Sequence, residues 1–319
     1  MVNQKKFIVS HAPFWHDGSS ISERSYNIML AALPAVIFGV ARFGAPALGA
    51  VCLSISFAML WELGFNKIAR QPVSIGDGNA ALIGLVFAML MPATVPWWFI
   101  LVGTFIAVII GKSIYGGIGG NPFSPVALAL AMLMLSWPNY LNVDAALVNY
   151  DFDFNALYPM AAAKHFGAQA VDSFTLADFL LGRHTGAIGT TFGLGLILGG
   201  VYLMVRGFIR WEISISFLIG VFLTATMFHA NDAVRFAGPM VHILSGYTLV
   251  GAFFLATDDS SSPVNFLPML LYGLLGGLMT VLIRNIGVYI DGVILSILII
   301  NTINPLVDKI RPKALGKVV

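Results

Sequence analysis

Charged residues are scarce in this chain. Only 10% of its 319 residues are Asp, Glu, Lys or Arg, against roughly 25% in a soluble domain, and 58% are hydrophobic. The mean hydropathy is +0.87. Basic clusters with interleaved aromatics are missing and the net charge is only +2, so nothing indicates a nucleic acid partner. The composition instead predicts an all-α polytopic protein whose partner is the lipid bilayer.

Cysteine is almost absent as well. Cys52 is the only one in the chain, whereas an iron–sulfur cluster takes about four cysteine ligands. The sequence also has no CxxC, no haem-attachment motif, no nucleotide-binding signature and no His pair with metal-ligand spacing. It therefore predicts no metal site and no direct reaction with a nicotinamide, so a redox role would require partner subunits. The first 25 residues lack the apolar segment of a signal peptide.

Apolar segments predict ten membrane spans in two sets of five. The third to fifth are short for a full crossing of about 17–25 residues, which favours broken or tilted helices sheltered by protein. The predicted spans are 26–44, 45–66, 79–93, 96–111, 124–137, 188–206, 213–229, 240–257, 266–283 and 286–305. The resulting organisation is an N-terminal segment (1–25), a first five-helix repeat (26–137), an external loop or cap (138–187), a second five-helix repeat (188–305) and a tail (306–319).

The distribution of lysine and arginine predicts the orientation. With ten spans and the N-terminus inside, twelve of the 17 Lys and Arg residues fall in inside segments and five in outside segments. Both termini are therefore expected in the cytoplasm of a bacterial inner membrane, with the polar segment 138–187 outside.

Two similar stretches indicate an internal repeat. LIGLVFAMLMPATVP (Leu82–Pro96) and LVGAFFLATDDSSSP (Leu249–Pro263) share Leu, Gly, Phe and a closing Pro at the same spacing. Each lies in the third span of its half, and five spans per half would turn the second half upside down. Inverted repeats of this kind place a ligand or ion site where the halves meet. We expect the third and eighth spans to cross antiparallel with Gly84 against Gly251, although chance similarity between two apolar helices would also explain the match.

Glycine-rich segments recur at the ends of several spans. They are SIGDGNAALIGL (74–85), GKSIYGGIGGNPFSP (111–125), GRHTGAIGTTFGLGLILGG (182–200), LSGYTLVGAFFLATDDSSSP (244–263) and NTINPLVD (301–308). Glycine permits close backbone approach, and free N–H groups at helix starts suit anions or ring carbonyls. The segments could cradle a planar polar cofactor or line an ion path. Tight helix packing through small residues is the alternative explanation.

Taken together, these segments resemble the D subunit family of the Rnf electron-transport complex. The B subunit of the sodium-pumping NADH:quinone oxidoreductase is similar. The resemblance runs from about Ser10 to Asp308, with five motifs in order, and the short N-terminus and compact length favour the Rnf side. It implies a flavin-carrying subunit that relays electrons across the membrane in an ion-translocating (Na⁺ or H⁺) ferredoxin:NAD⁺ oxidoreductase complex. The implied partners are subunits of the Rnf A, B, C, E and G types, and this chain alone holds no complete active site.

This chain departs from the flavin attachment motif of the family. Relatives carry Asp-x-x-Ser-(Gly/Ser)-Ala-Thr before the sixth span, and the last Thr is esterified to FMN. This chain has Asp172-Ser173-Phe174-Thr175-Leu176-Ala177-Asp178, with Asp178 at the acceptor position. A carboxylate does not form that stable ester, so we expect FMN, or riboflavin, without a covalent link; attachment at Thr175 would require a slipped register. We expect the flavin to contact the segment that enters the sixth span, at Gly186, Gly189, Thr190 and Thr191, because N–H groups at a helix start and threonine hydroxyls suit a phosphate or a ring carbonyl.

Ionisable residues inside membrane segments are costly and often functional. Asp77 and Asp258 lie at the ends of the third and eighth spans, and Asp291 is expected six residues into the tenth. All three are candidates for the ion pathway, with pairing to Arg284 as the alternative for Asp291. Glu62 is expected to face Lys67 or Arg70. We expect Lys112 to contact the lipid headgroups. We expect His242 to be a packed polar residue and not a ligand.

Two functions from different classes fit this sequence. The first is a flavin-carrying redox subunit of a membrane complex. The second is a secondary transporter or channel built on the same inverted repeat, with no redox role. Flavin fluorescence of the purified protein would favour the first function, and a colourless protein that binds a solute would favour the second.

Overall fold

The computed structural model describes residues 20–147, 150 and 157–310, and these residues form helices and no strand. Predictions for the first 19 residues, for residues 148–149 and 151–156 of the expected external loop and for the tail beyond residue 310 lie outside the described residues. Five helices are long and apolar enough to cross a membrane: Ile21–Phe43 (α1), Ala45–Ile68 (α2), Trp97–Tyr115 (which includes α4), Trp211–Asn231 (α10) and Phe266–Asn285 (α13).

Four shorter apolar helices precede or follow the long ones along the chain. They are Asn79–Met89 (α3), Pro125–Ser136 (α5), Gly193–Val205 (α9) and Val293–Val307 (α14). The α4 helix proper, Trp97–Phe105, continues into a π-helical turn, Ile106–Ile110. The eighth predicted span consists of Pro239–Leu244 (α11) and Thr248–Val250 (α12), the latter continuing into a second π-helical turn, Gly251–Leu255. The remaining short helices are Val143–Ala146 (α6), Pro159–Phe166 (α7) and Leu176–Leu181 (α8).

The short third span is sheltered as predicted. Every residue from Ile83 to Met89 of α3 is buried, and the non-helical residues Leu90 and Met91 that follow are buried too. An unwound backbone at this depth needs hydrogen-bond partners within the protein. The segment before the sixth span supplies them, because the N–H groups of Ile188 and Gly189 donate to the carbonyls of Met91 and Met89.

Three of the expected helix starts are wrong. The first span begins at Ile21 rather than at residue 26. The sixth span begins at Gly193 rather than at residue 188, because the residues before it bond to the broken end of α3. The tenth span begins at Val293, so Asp291 lies before the helix instead of six residues into it. The reason is local: Asp291 Oδ1 accepts a hydrogen bond from the N–H of Val293 and thereby satisfies a free donor at the helix start.

The expected contact between Gly84 and Gly251 is also wrong. A Cβ on Gly84 would overlap the backbone of α2 at Ser54, and a Cβ on Gly251 would overlap Val293 of α14. Each glycine therefore permits close packing against a different neighbour. Glycines also line the contact of α10 with α13 and that of α1 with α9, so close helix packing explains much of the glycine content.

The two ends of the helix bundle differ in the short helices and loops that they carry. We call the end bearing α7 and α8 the cap end; it also carries the loops 232–238 and 286–292. Lys164 of α7 ties the cap to the bundle by donating to the carbonyls of Gly287 and Tyr289. The opposite end, with loops 69–78, 111–124, 206–210 and 256–265, is called the tail end.

Candidate functional site

The break in the eighth span is held by a buried ion pair at the cap end. Gly246 stands in the break with φ +69°, in the left-handed region that favours glycine. Arg284 Nη2 lies 3.0 Å from Asp291 Oδ1, and both side chains are at most 6% exposed. Arg284 Nη1 donates to the carbonyl of His242, and Asp291 Oδ2 accepts from the N–H of Tyr247. The pair thus satisfies backbone groups that the broken helix leaves free.

Two cavities adjoin this ion pair, one at each of its members. The first, about 330 Å³, is mainly apolar and is bordered by Asp291. Its walls include Leu130, Met134, Val143, Tyr158, Tyr247 and Ile294. The second, about 210 Å³, is bordered by Arg284 and is lined by cationic and polar side chains, among them Lys164, Arg235, His242 and Asn285. Ile290 borders both. Apolar walls with a few polar groups are typical of sites for organic ligands.

The segment before the sixth span is buried and closely packed. The N–H groups of Gly189 and Thr190 donate to backbone carbonyls, and the Thr190 hydroxyl bonds to Ala187. A Cβ on Gly189 would overlap Met89, and one on Gly186 would lie against Thr190 and Thr191. The four predicted residues of this segment therefore lie together, but these N–H groups already have partners.

Polar atoms without partners remain beside this packed segment. His184 Nδ1 and the hydroxyls of Thr185 and Thr191 are buried and make no hydrogen bond with the described residues. Burial lowers the pKa of His184 to about 4, so this side chain is neutral at physiological pH. Unpartnered buried polar atoms call for an explanation, such as a ligand or an ordered water.

Thr175 and Asp178 form the N-terminal cap of α8. The Thr175 side chain accepts from the N–H of Asp178, and the Asp178 carboxylate accepts from the N–H and the hydroxyl of Thr175. This reciprocal arrangement is a capping box. The hydrogen bond from the Thr175 hydroxyl lowers the pKa of Asp178. Asp178, the residue expected at the acceptor position of the flavin motif, therefore has a structural role at the start of α8.

Asp77 and Asp258 both lie at the tail end, Asp77 just before α3 and Asp258 shortly after the π-helical turn Gly251–Leu255. Asp77 Oδ1 accepts from the N–H of Asn79 at the start of α3. Asp258 Oδ2 accepts from the side chains of Asn121, Ser260 and Ser261, and burial raises its pKa. Asp258 and Asn79 both line a cavity of about 120 Å³ between the third and eighth spans.

A second buried ion pair near the tail end differs from the pairing predicted from the sequence. Lys112 Nζ lies 2.9 Å from Glu62 Oε1, and both side chains are at most 5% exposed. Glu62 therefore does not face Lys67 or Arg70, and Lys112 does not reach the headgroups. Ser74 also donates to Glu62 Oε1. The sequence did contain a signal for this pairing. An acid and a base lie near the ends of two apolar spans, and such groups must pair when they are buried.

Comparisons with known proteins identify relatives over nearly the whole chain. The NQR2, RnfD, RnfE family matches residues 8–316. The D subunit of the proton-translocating ferredoxin:NAD(+) oxidoreductase complex of Clostridium ljungdahlii is 32% identical over 315 residues, covering 97% of this chain and 95% of the relative. The D subunit of the Na(+)-translocating complex of Acetobacterium woodii is 32% identical over 309 residues, with coverages of 97% and 94%. The D subunit of the ion-translocating oxidoreductase complex of Cronobacter sakazakii is 31% identical, with coverages of 97% and 99%.

Proposed function

We propose that this chain, which belongs to the NQR2, RnfD, RnfE family, is the D-type membrane component of an ion-translocating ferredoxin:NAD⁺ oxidoreductase complex. The observation that carries the proposal is the similarity to the D subunits of two such complexes over 97% of the chain. The name of the first relative states that its complex translocates protons, and that of the second states that its complex translocates Na⁺. The other subunits of such a complex are the partners, and they supply the reaction with nicotinamide.

We further propose that the two halves are inverted repeats of five spans with both termini in the cytoplasm. The charge distribution supports this orientation, which makes the tail end cytoplasmic and the cap end external. The positions of the two buried ion pairs support the repeat. Lys112 follows the fourth apolar helix of its half and Arg284 ends the fourth of the other, and they lie toward opposite ends of the bundle. Labelling of a cysteine introduced at exposed Gln169 of the cap from the external side only would support the orientation.

The third part of the proposal is a flavin bound without a covalent link. Asp178 stands at the acceptor position and is engaged in a capping box. The packed segment before the sixth span leaves little room for a ring, whereas the apolar cavity beside Asp291 has about 330 Å³. Its aliphatic walls and the phenols of Tyr158 and Tyr247 fit a planar ring with a polar edge. A flavin held there would supply one- and two-electron chemistry at the external face.

Ion passage is proposed for the region between the halves. Asp258 lines the cavity between the third and eighth spans at the tail end, with Asp77 near its rim at the start of α3. Asp291 borders the apolar cavity of the cap end. Carboxylates near both ends of the broken eighth span suit the stepwise transfer of a cation.

Ion transport by the purified complex tests the function. Complex reconstituted in vesicles should transport H⁺ or Na⁺ when supplied with reduced ferredoxin and NAD⁺, and complex lacking this chain should not. Solute uptake by the isolated chain, with no effect of its deletion on the redox activity of the complex, would instead support a secondary transporter.

Denaturing electrophoresis under ultraviolet light tests the flavin. The native chain should fluoresce, and the band on the gel should not. Substituting Leu130→Trp should fill the cavity and lower the flavin content, whereas Leu135→Trp, on the exposed side of the same helix, should leave it unchanged. A fluorescent band that disappears in Thr175→Ala would overturn the non-covalent proposal, and equal flavin loss in both Trp variants would overturn its placement.

A further inference from the structure

The second cavity of the cap end carries an excess of positive charge. Lys164, Arg235 and Arg284 line it, and no Asp or Glu is among its described lining residues. Asp291 bonds to Arg284 from the side of the other cavity and offsets one of the three charges. Lys164, which is partly buried, and Arg235, which is exposed, thus have no carboxylate partner among the described lining residues of a space of about 210 Å³.

Several hydrogen-bond donors of this cavity also lack acceptors. His242 is 2% exposed, and its two ring nitrogens, of which one is a donor and the other an acceptor in the neutral ring, are without a partner among the described residues. The same holds for Arg284 Nε and Asn285 Nδ2. Lys164 has three N–H groups and uses two of them for the carbonyls of Gly287 and Tyr289. The buried donors among these, on His242, Arg284 and Asn285, would normally be satisfied.

We propose that this cavity binds a phosphate-type oxyanion. Water would accept from single donors but carries no negative charge for Lys164 and Arg235. A phosphate group offers several acceptor oxygens and a negative charge at once, and arginine is the side chain best suited to it. The headgroup of an anionic lipid and a phosphate monoester from solution share this chemistry. The inference is independent of the flavin proposal, because the binding group is the phosphate alone.

Thermal unfolding of the full-length chain in detergent tests the site. We expect inorganic phosphate to raise the unfolding temperature more than sodium chloride of the same ionic strength. In Arg235→Gln the affinity for phosphate should fall about tenfold, since a hydrogen bond to a charged group contributes about one order of magnitude. Arg206→Gln is the matched control: Arg206 is exposed, lies at the tail end and stacks over Phe208 at 5.7 Å, as Arg235 stacks over Phe236 at 5.2 Å.

His242→Leu separates a binding role from a structural one. Without phosphate this variant should be at least as stable as the native chain, because it removes two unpartnered nitrogens, yet it should lose the stabilisation by phosphate. A second arm compares nanodiscs of phosphatidylglycerol and phosphatidylcholine. Stabilisation by the anionic lipid alone, lost in Arg235→Gln, would assign the site to a headgroup. Absence of both effects, or equal effects in Arg235→Gln and Arg206→Gln, would overturn the proposal.

Discussion

The two buried ion pairs of this chain lie toward opposite ends of the bundle and differ in what they hold. At the tail end, Lys112 and Glu62 come from two helical segments and lie 2.9 Å apart. Their additional partner is Ser74, and Glu62 Oε2 has none among the described residues. At the cap end, Arg284 and Asp291 lie 3.0 Å apart and also bond to Thr248 and to backbone groups of the eighth and tenth spans.

This difference indicates different roles for the two pairs. A buried ion pair gains little net stability, because desolvation of the charges opposes their attraction. The tail-end pair is therefore expected to be replaceable by apolar side chains of similar volume. The cap-end pair additionally supplies partners for the carbonyl of His242 and the N–H of Tyr247, on either side of the helix break. Because apolar side chains cannot supply these hydrogen bonds, we expect this pair to be irreplaceable.

The largest predicted effect is that of Asp291→Ala. The substitution leaves Arg284 buried without its counterion and two backbone N–H groups without their acceptor, so the free energy of unfolding should fall by about 3–5 kcal/mol. Unfolding in mixed detergent micelles, followed by the fluorescence of the six tryptophans, measures it. The double variant Arg284→Met with Asp291→Val should remain destabilised. Full recovery in the double variant would show that the backbone bonds to this pair are unimportant.

The second prediction concerns the tail-end pair. Glu62→Gln leaves Lys112 buried beside a neutral amide, and we expect a loss of about 3 kcal/mol, at the lower end for a broken buried pair. The double variant Glu62→Met with Lys112→Met should regain stability to within about 1 kcal/mol of the native chain. The same unfolding assay compares these variants with the native protein. A double variant as unstable as the cap-end double variant would remove the distinction between the pairs.

The third prediction compares one hydroxyl at each pair. Thr248→Val removes the oxygen that accepts from Arg284 Nη2 and leaves that donor buried, so the loss should be about 2 kcal/mol. Ser74→Ala removes one donor to Glu62, whose carboxylate still accepts from the ammonium group of Lys112. The free energy of unfolding should therefore fall by only about 1 kcal/mol. Thr226→Val, whose hydroxyl bonds to the carbonyl of Phe222 in its own exposed turn, is the control. Equal losses for Thr248 and Ser74 would contradict the comparison.

Sequence reasoning predicted the helices better than their interruptions. Apolar runs located the long helices to within a few residues, because membrane spans are set by local hydropathy. The start of the tenth span was misplaced because Asp291 accepts from the N–H of Val293 just before α14, and hydropathy does not report such a bond. The predicted contact between Gly84 and Gly251 was wrong for a similar reason. A small residue indicates that another helix packs closely there, but it does not indicate which helix.

The charged residues show the same limit of sequence reasoning. Pairing of Asp291 with Arg284, seven positions apart, is an alternative that the sequence offers, because the two flank one short loop. Pairing of Glu62 with Lys112, separated by 50 positions, is hidden in the sequence behind the nearer Lys67 and Arg70. The choice between these partners depends on how α2 packs against α4, which hydropathy does not determine. At Asp178 the sequence identifies the unusual residue, but its capping of α8 is evident only from the structure.

The smallest predicted effect contrasts these buried carboxylates with an exposed one. Asp178 caps α8 in contact with solvent, and the hydrogen bond from Thr175 keeps the pKa of its carboxyl below the usual 3.8. A lowered pKa in the folded state means that the contribution to stability is present above pH 3.8 and is lost as the pH falls through the folded value. Asp178→Asn should therefore weaken protection of the α8 amides against hydrogen exchange equally at pH 8 and pH 6, and the difference from the native chain should shrink below about pH 4. A difference that persists once the Asp178 carboxyl of the native chain is protonated would mean that the amide and the protonated acid cap unequally and that charge is not the relevant property. Asp291, surrounded by fixed donors, shares no such exposure to solvent, so its substitution should cost far more over the whole range from pH 8 to pH 6.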